Sequence, residues 1–519
     1  MDQKVDQFKI PENVVAYSYG KHAERAIVIG TGFGGLAAAI RLAIKGYDVQ
    51  VLERLGSAGG RAYVHRRHGF TFDAGPTIIT APFLLEELWN LCGKKMSDDV
   101  DLRAMDPFYQ IRFADGRVFN YTGDLERMKA EVAKFSPKDL PGYLRFLDEA
   151  ENCYKLAFED LGDVAFDGLG DLVKAMPNLI KMRAWNNLYS LVAKYIKDPQ
   201  LREVMSFHPL LIGGNPFSVS SAYALINSLE RKWGVHSAMG GTGSIIKGLV
   251  GLLSGLGVSI RYASTVKKIN IVDNKVTGVT LENGDVLYAN KVVSNADTAW
   301  TYKNLIDPEY RKIWTDKKIE NGKYSMSLFV WYFGTKKQYP QVPHHMMLLG
   351  KRYKELLDDI FKRHHLAKDF SLYLHRPTAT DPSLAPDGCD TFYVLSPVPH
   401  LDSGTDWSAV AESYRQSIAK MLGETVLPGL EENIVESFVM TPQDFQDRLL
   451  SYKGAAFGLE PLLTQSAWFR PHNRSEEIDG LYMVGASTHP GAGIPGVLSS
   501  AKALDSLIAP AKMVSNHDR

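Results

Sequence analysis

The sequence predicts an α/β fold of more than one domain, and three observations carry that expectation. A strand, a glycine turn, a helix and a second strand follow one another within residues 26–53. The chain runs to 519 residues, too long for one ordinary hydrophobic core. The hydrophobic period turns helical from residue 123 to about 198, which separates the opening unit from later strand signals.

In the opening unit, AIVI at 26–29 reads as a short buried strand. Gly30, Gly32 and Gly35 follow in G-x-G-x-x-G spacing, and an Ala/Leu/Ile-rich helical pattern covers 36–45. Gly46 stands where a helix ends, and 49–52 reads as a second strand closing at Glu53. Each residue type has a task in such a unit. Gly30 permits the tight turn, Gly32 lets the backbone approach a pyrophosphate, and Gly35 lets helix and strand pack closely. The free N–H groups and dipole of the helix N-terminus favour the diphosphate. Glu53 can accept hydrogen bonds from both ribose hydroxyls and opposes a 2′-phosphate, so FAD or NAD is expected rather than NADP. Gly59, Gly60 and Arg61 form a second glycine turn with a basic residue, and 72–76 (FDAGP) forms a further tight turn.

Composition sets limits. Lys plus Arg and Asp plus Glu both number 59, so net charge gives no pull toward nucleic acid. Cys92, Cys153 and Cys389 are scattered, with neither disulfide nor metal spacing, which fits a reducing, cytoplasmic setting. The first 25 residues are polar, contain Pro11, and read as a poorly ordered lead-in rather than a signal peptide. No apolar run reaches the length of a transmembrane helix, so any membrane contact falls to a surface.

Along the chain, 81–92 reads as a helix, and 109–113 with 118–121 as a hairpin about Asp115-Gly116. Within the helical region, 182–197 reads as one amphipathic helix. Trp185, Leu188, Tyr189, Val192, Tyr195 and Ile196 form its apolar stripe, with basic residues opposite. That pattern serves either a core-packed helix or an interfacial membrane helix. A glycine turn at 239–243 precedes a helix over 244–253, and strands are expected at 258–262, 266–271, 276–281, 286–289 and 292–296. Further strands at 327–333, 370–374 and 391–396 suit a mixed sheet, with helices at 407–422 and 444–450. Finally, a strand at 481–484 leads into the loop PGAGIPG at 490–496 and a helix from Val497. A helix N-terminus held by such a loop could stabilise charge on a reduced flavin.

These motifs resemble the glutathione-reductase-type FAD proteins, in the branch shared by amine oxidases and carotenoid desaturases. Together with LLIGGNPFSVSS, VVSNAD, HHMMLLGKRYKEL, FSLYLH, SPVPHL, TQSAWFRPHNR and MVGASTHPGAGIPGV, the chain is similar to the bacterial phytoene desaturase family from about residue 26 to 505. The resemblance implies a Rossmann-like FAD-binding domain assembled from 26–95, 238–297 and 475–512. It implies a mixed-sheet substrate domain from 96–122 and 298–474, and a helical, membrane-associating subdomain at 123–237. It selects FAD as cofactor, contacted by Gly30, Gly32, Phe33, Gly34, Gly35, Glu53, Arg54, Gly60, Arg61, Gly75, Pro76, Val266, Gly485, Ala486, Gly493, Ile494 and Pro495.

The family reaction removes hydrogen from a saturated carbon pair in a long polyene. An isolated C–C bond has no carbonyl to acidify its protons, so a flavin must take hydride while a proton leaves to a base or water. Asp148 and Glu149, after Arg145, are candidate acid/base residues, set against a solvated helix face with an Arg145–Glu149 pair. His489, His344 and His345 are alternatives, as is proton loss with no dedicated base, and no metal ligands are expected. The implied partners are an apolar polyene drawn from lipid, the inner-membrane surface, and a quinone or oxygen as electron acceptor, with no nucleic acid. Other outcomes of the resemblance are a desaturase with another stop point or chain length, a carotenoid isomerase, an amine oxidase, or a non-catalytic lipid-binding protein.

Overall fold

The computed structural model describes residues 24–162 and 164–512. The polar lead-in lies outside them, except that Arg25 already belongs to the first strand.

Five strands form a parallel sheet. Arg25–Ile29 lies at its centre between Asp48–Leu52 and Lys291–Ser294, with Ser259–Arg261 and Leu481–Met483 at the edges. Parallel pairing demands crossovers over the sheet faces. The first crossover is the helix Phe33–Ile44, buried from Phe33 to Ala43. It starts earlier than its apolar periodicity implies, because Gly32 takes the cap position and Gly34 and Gly35 fall in the first turn. Gly35 has no room for a side chain: a Cβ there would lie 2.0 Å from the Gly30 carbonyl oxygen. The helices Thr242–Gly255 and Ile494–Lys502 pack against this crossover. The last of these begins before the expected Val497, which places Ile494 and Pro495 inside its first turn. The strands Val266–Val272, Lys275–Leu281 and Val286–Tyr288 form an antiparallel meander turning at Asp273-Asn274 and Asn283-Gly284.

A second, seven-stranded sheet is mixed. Its order is Ile434–Met440, Ser327–Thr335, Asp390–Val398, Leu372–His375, His345–Leu349, Tyr109–Phe113 and Val118–Tyr121. The hairpin at its edge has the predicted bounds. His345–Leu349 was not anticipated as a strand. All five of its residues are buried, so it lacks the alternation that marks a half-exposed strand. It pairs in parallel with the hairpin and antiparallel with Leu372–His375.

The region after the hairpin is helical, as its period predicts, but the helix expected over 182–197 is not one helix. Leu169–Lys181 ends there, Arg183 adopts φ 50°, and a new helix, Leu188–Tyr195, starts with the Asn187 side chain accepting from Ser190 N–H. A left-handed backbone at a non-glycine residue leaves no mark on hydrophobic periodicity. The expected stripe therefore divides. Leu188, Val192 and Ile196 are fully buried, whereas Trp185 is 63% exposed. One apolar cluster joins this region to the seven-stranded sheet, and another surrounds the crossover helix.

Candidate active site

A cavity of about 600 Å³ runs between these two bodies. At one end its wall is built from Gly30, Gly32, Phe33, Glu53, Arg54, Gly60, Arg61, Gly75, Pro76 and Val266. Gly485, Ala486, Gly493, Ile494 and Pro495 join them from the C-terminal part of the chain. Gly34 and Gly35 do not line the cavity. They lie one layer behind, where a Cβ on Gly34 would meet Asn295 Oδ1 at 2.6 Å.

This end carries a set of unanswered polar groups. The helix Phe33–Ile44 has no side-chain cap, so its first N–H groups are open to a ligand. The two glycine turns face each other, since a Cβ on Gly60 would lie 3.4 Å from Gly32 Cα. Arg61 gives one N–H to Ser451 Oγ at 2.9 Å, while its buried Nε has no partner in the protein. Glu53 is 5% exposed, and its carboxylate accepts from the N–H groups of Thr31 at 2.9 Å and Leu55 at 2.8 Å. The Thr31 hydroxyl donates to it as well, and since a carboxylate has about four acceptor positions, capacity remains for a ribose hydroxyl. An orphaned guanidinium, an uncapped helix and a fixed carboxylate fit a dinucleotide diphosphate and its ribose.

Arg470 sets the C-terminal loop. Its guanidinium is 2% exposed and donates to the carbonyls of Thr488 at 3.0 Å and Ala486 at 2.7 Å. Asn473 Nδ2 donates to the carbonyl of His489 at 2.9 Å. His489 faces the cavity edge-on to Phe166, with ring centroids 4.9 Å apart. Burial, and then the Arg470 charge, pulls its pKa down to about 3, so the ring is neutral at physiological pH.

The far end is apolar, with Phe207, Leu211, Ile226, Leu229, Met326, Val330 and Met347 in its wall. One charged group interrupts it. Glu230, 1% exposed, lies 3.2 Å from His208 Nε2 and accepts from Tyr109 Oη at 2.6 Å. Burial and then this carboxylate push the Tyr109 hydroxyl well above its usual range, so the tyrosine remains a donor. Neither Glu230, in the charged stretch LERK at 229–232, nor His208, some twenty residues before it, is marked by local spacing. Only the tertiary fold turns them inward.

Arg145 and Asp148 do not belong to this site. Both side chains are exposed on the helix Leu140–Cys153, whose inward face carries Tyr143, Phe146 and Leu147 instead. His344 and His345 are buried but lie outside the cavity wall.

Residues 33–503 match the family described as "Flavin containing amine oxidoreductase". The chain belongs to that family. It is 49% identical over 490 residues to a neurosporene-forming phytoene desaturase of Cereibacter sphaeroides, covering 93% of this chain and 94% of the relative. It is 47% identical over 482 residues to a lycopene-forming phytoene desaturase of Pantoea ananas, covering 93% and 98%. Among solved structures, a putrescine oxidase redesigned in cofactor binding superimposes with TM-score 0.64 at 14% identity, covering 93% and 98% of the two chains. An oxidoreductase from Methanosarcina mazei does so with TM-score 0.63 at 17% identity, covering 93% and 100%. The cofactor is FAD.

Replacing Glu53 by alanine removes the ribose-facing carboxylate and leaves the Thr31 N–H and hydroxyl and the Leu55 N–H without their acceptor. The expected outcome is FAD affinity weaker by ~30- to 100-fold, about 2–3 kcal/mol, in a flavin fluorescence titration, with the far-UV circular dichroism unchanged.

Proposed function

We infer that this chain is an FAD-dependent desaturase of carotenoid biosynthesis, and we propose that it carries phytoene to lycopene by successive desaturations. The observation that carries the reading is the cavity, which joins a dinucleotide end to a long apolar end. A polyene has no polar handle, so recognition falls to shape and length. Bound FAD supplies the two-electron acceptor that an unactivated C–C bond requires.

The chain's own residues then have definite tasks. The uncapped helix, Arg61 and Glu53 would hold the nucleotide, and the loop pinned by Arg470 would shape the flavin end. The apolar wall excludes water from the reacting carbons. Loss of hydride beside a double bond leaves positive charge on the polyene. The Glu230 carboxylate lies in the same cavity, where low polarity strengthens its attraction for that charge. It also offers a proton acceptor with His208 beside it. His489, held neutral, shapes the loop and carries no charge.

Membrane contact is proposed for the exposed face of the helix Leu169–Lys181. Among the described residues no helix is long and apolar enough to cross a membrane. Leu169, Val173, Met176 and Ile180 recur at helical spacing and are 44–69% exposed, with Trp185 just beyond and Lys174, Lys181 and Arg183 exposed around them. Leu179 and Met182 in the same segment line the cavity. An apolar substrate could thus pass from lipid across one helix into the site. A quinone or oxygen is the proposed final electron acceptor.

Incubation of FAD-loaded protein with phytoene in liposomes, followed by chromatography of the products, is expected to give lycopene. Accumulation of neurosporene, the product named for one relative, would replace that end point, and an unchanged substrate would sink the desaturase reading. Glu230→Gln keeps the volume and removes the charge. It is expected to lower kcat by ~10²- to 10³-fold at unchanged FAD content. Changing Leu169, Val173, Ile180 and Trp185 together to serine is expected to abolish co-sedimentation with anionic liposomes while the melting temperature holds, because each is already exposed.

A further inference from the structure

Behind the cavity wall three histidines converge. His345 and His375 are cross-strand partners in the seven-stranded sheet, and His344 directly precedes the same strand. All three are buried, at 7%, 2% and 1% exposure for His344, His345 and His375. Among the described residues this is the one grouping whose ligand atoms approach closely enough to share an ion, each within 4.8 Å of the others.

Two of the three rings are oriented from outside. His344 Nδ1 is 2.6 Å from Thr380 Oγ1, and His345 Nδ1 is 2.7 Å from the Tyr373 hydroxyl. Both rings therefore turn Nε2 inward. His344 Nε2 and His375 Nε2 stand 3.1 Å apart. Two nitrogens bound at about 2.0 Å to one tetrahedral ion would be separated by about 3.3 Å. One buried ring nitrogen on the inward side, His345 Nε2, has no partner in the protein. A buried polar atom without a partner is rare, and each such case asks for an account.

We propose that His344, His345 and His375 bind a first-row divalent cation, Zn²⁺ in the simplest case, at a structural site behind the substrate cavity. Neutral imidazole is the donor that such ions accept. Thr380 and the Tyr373 hydroxyl are the outer partners that orient ligating rings. The nearest cation, Arg376, is already answered by Asp390 at 3.2 Å. Tyr373 connects the site to the cavity, since it lines the wall and its hydroxyl also meets Thr77 Oγ1 at 3.1 Å. The ion would clamp the strands His345–Leu349 and Leu372–His375, and with them Met347 and Tyr373 in the substrate wall. No local spacing in the sequence announces this grouping, because His375 reaches the others only through strand pairing.

The test is elemental analysis of the purified, FAD-loaded protein prepared without chelator. About one equivalent of Zn²⁺ per chain is expected, with loss in His345→Asn and in His375→Asn. Zn²⁺ added to chelator-treated protein should raise the melting temperature of the parent and leave both variants unmoved. Should the variants fail to fold, Co²⁺ substitution of the parent decides, through visible bands at wavelengths longer than the flavin absorbs. Parent protein with less than about a tenth of an equivalent of metal, no thermal response to Zn²⁺ and no Co²⁺ spectrum would overturn the proposal. Equal metal in parent and folded variants would overturn it as well.

Discussion

The cofactor end depends on the close packing of one side chain, Asn295, among glycines of two distant segments. Its amide lies where a Cβ on Gly32, Gly34 or Gly485 would come within 2.6–2.9 Å of it. Its own N–H donates to the Ile29 carbonyl at 2.9 Å, which fixes it to the end of the central strand. The glycines on both sides are thus required by contact, and Gly485, at φ 102°, by backbone conformation as well. A larger residue at any of them would separate the opening turn from the C-terminal turn, and the pocket for the nucleotide would lose one wall. This contact makes a single binding surface from residues 30–33, 295 and 485.

Much of the cofactor end was legible in the sequence because its rules are local. Gly30, Gly32, Gly35 and Glu53 report through spacing, and Asp115-Gly116 reports its hairpin directly. The gaps have physical causes. The Arg183 break needs a left-handed backbone that apolar periodicity does not register. His345–Leu349 is buried on both faces and so carries no alternation. Glu230 sits in a charged helical segment, and its burial is decided by Tyr109 and His208, some 20 to 120 residues away in the chain. Arg145 and Asp148 failed as site residues for the converse reason: helical spacing places them on a face, and only packing tells which face is turned in.

The cavity separates two kinds of recognition. Its dinucleotide end is polar and pre-organised, with N–H groups and a carboxylate fixed before any ligand arrives. Its far end is apolar and undirected apart from the Glu230–His208 pair. Burying such a pair carries a desolvation penalty that packing alone would avoid. A hydrocarbon pocket tuned for binding would have no reason to include it. Its presence matches the role proposed for Glu230 toward charge on the substrate.

The parallel sheet also constrains the order in which the protein can mature. Its strands come from residues 25–52, 259–294 and 481–483, and the last of these supplies an edge and the loop that closes the flavin end. On the ribosome, the opening β-α-β unit must wait until nearly the whole chain has been made before that edge is complete. Contacts of such sequence separation form slowly, and the unfinished sheet exposes apolar surface meanwhile. A chain shortened ahead of residue 481 would be left with an open sheet and without the loop that closes the flavin end.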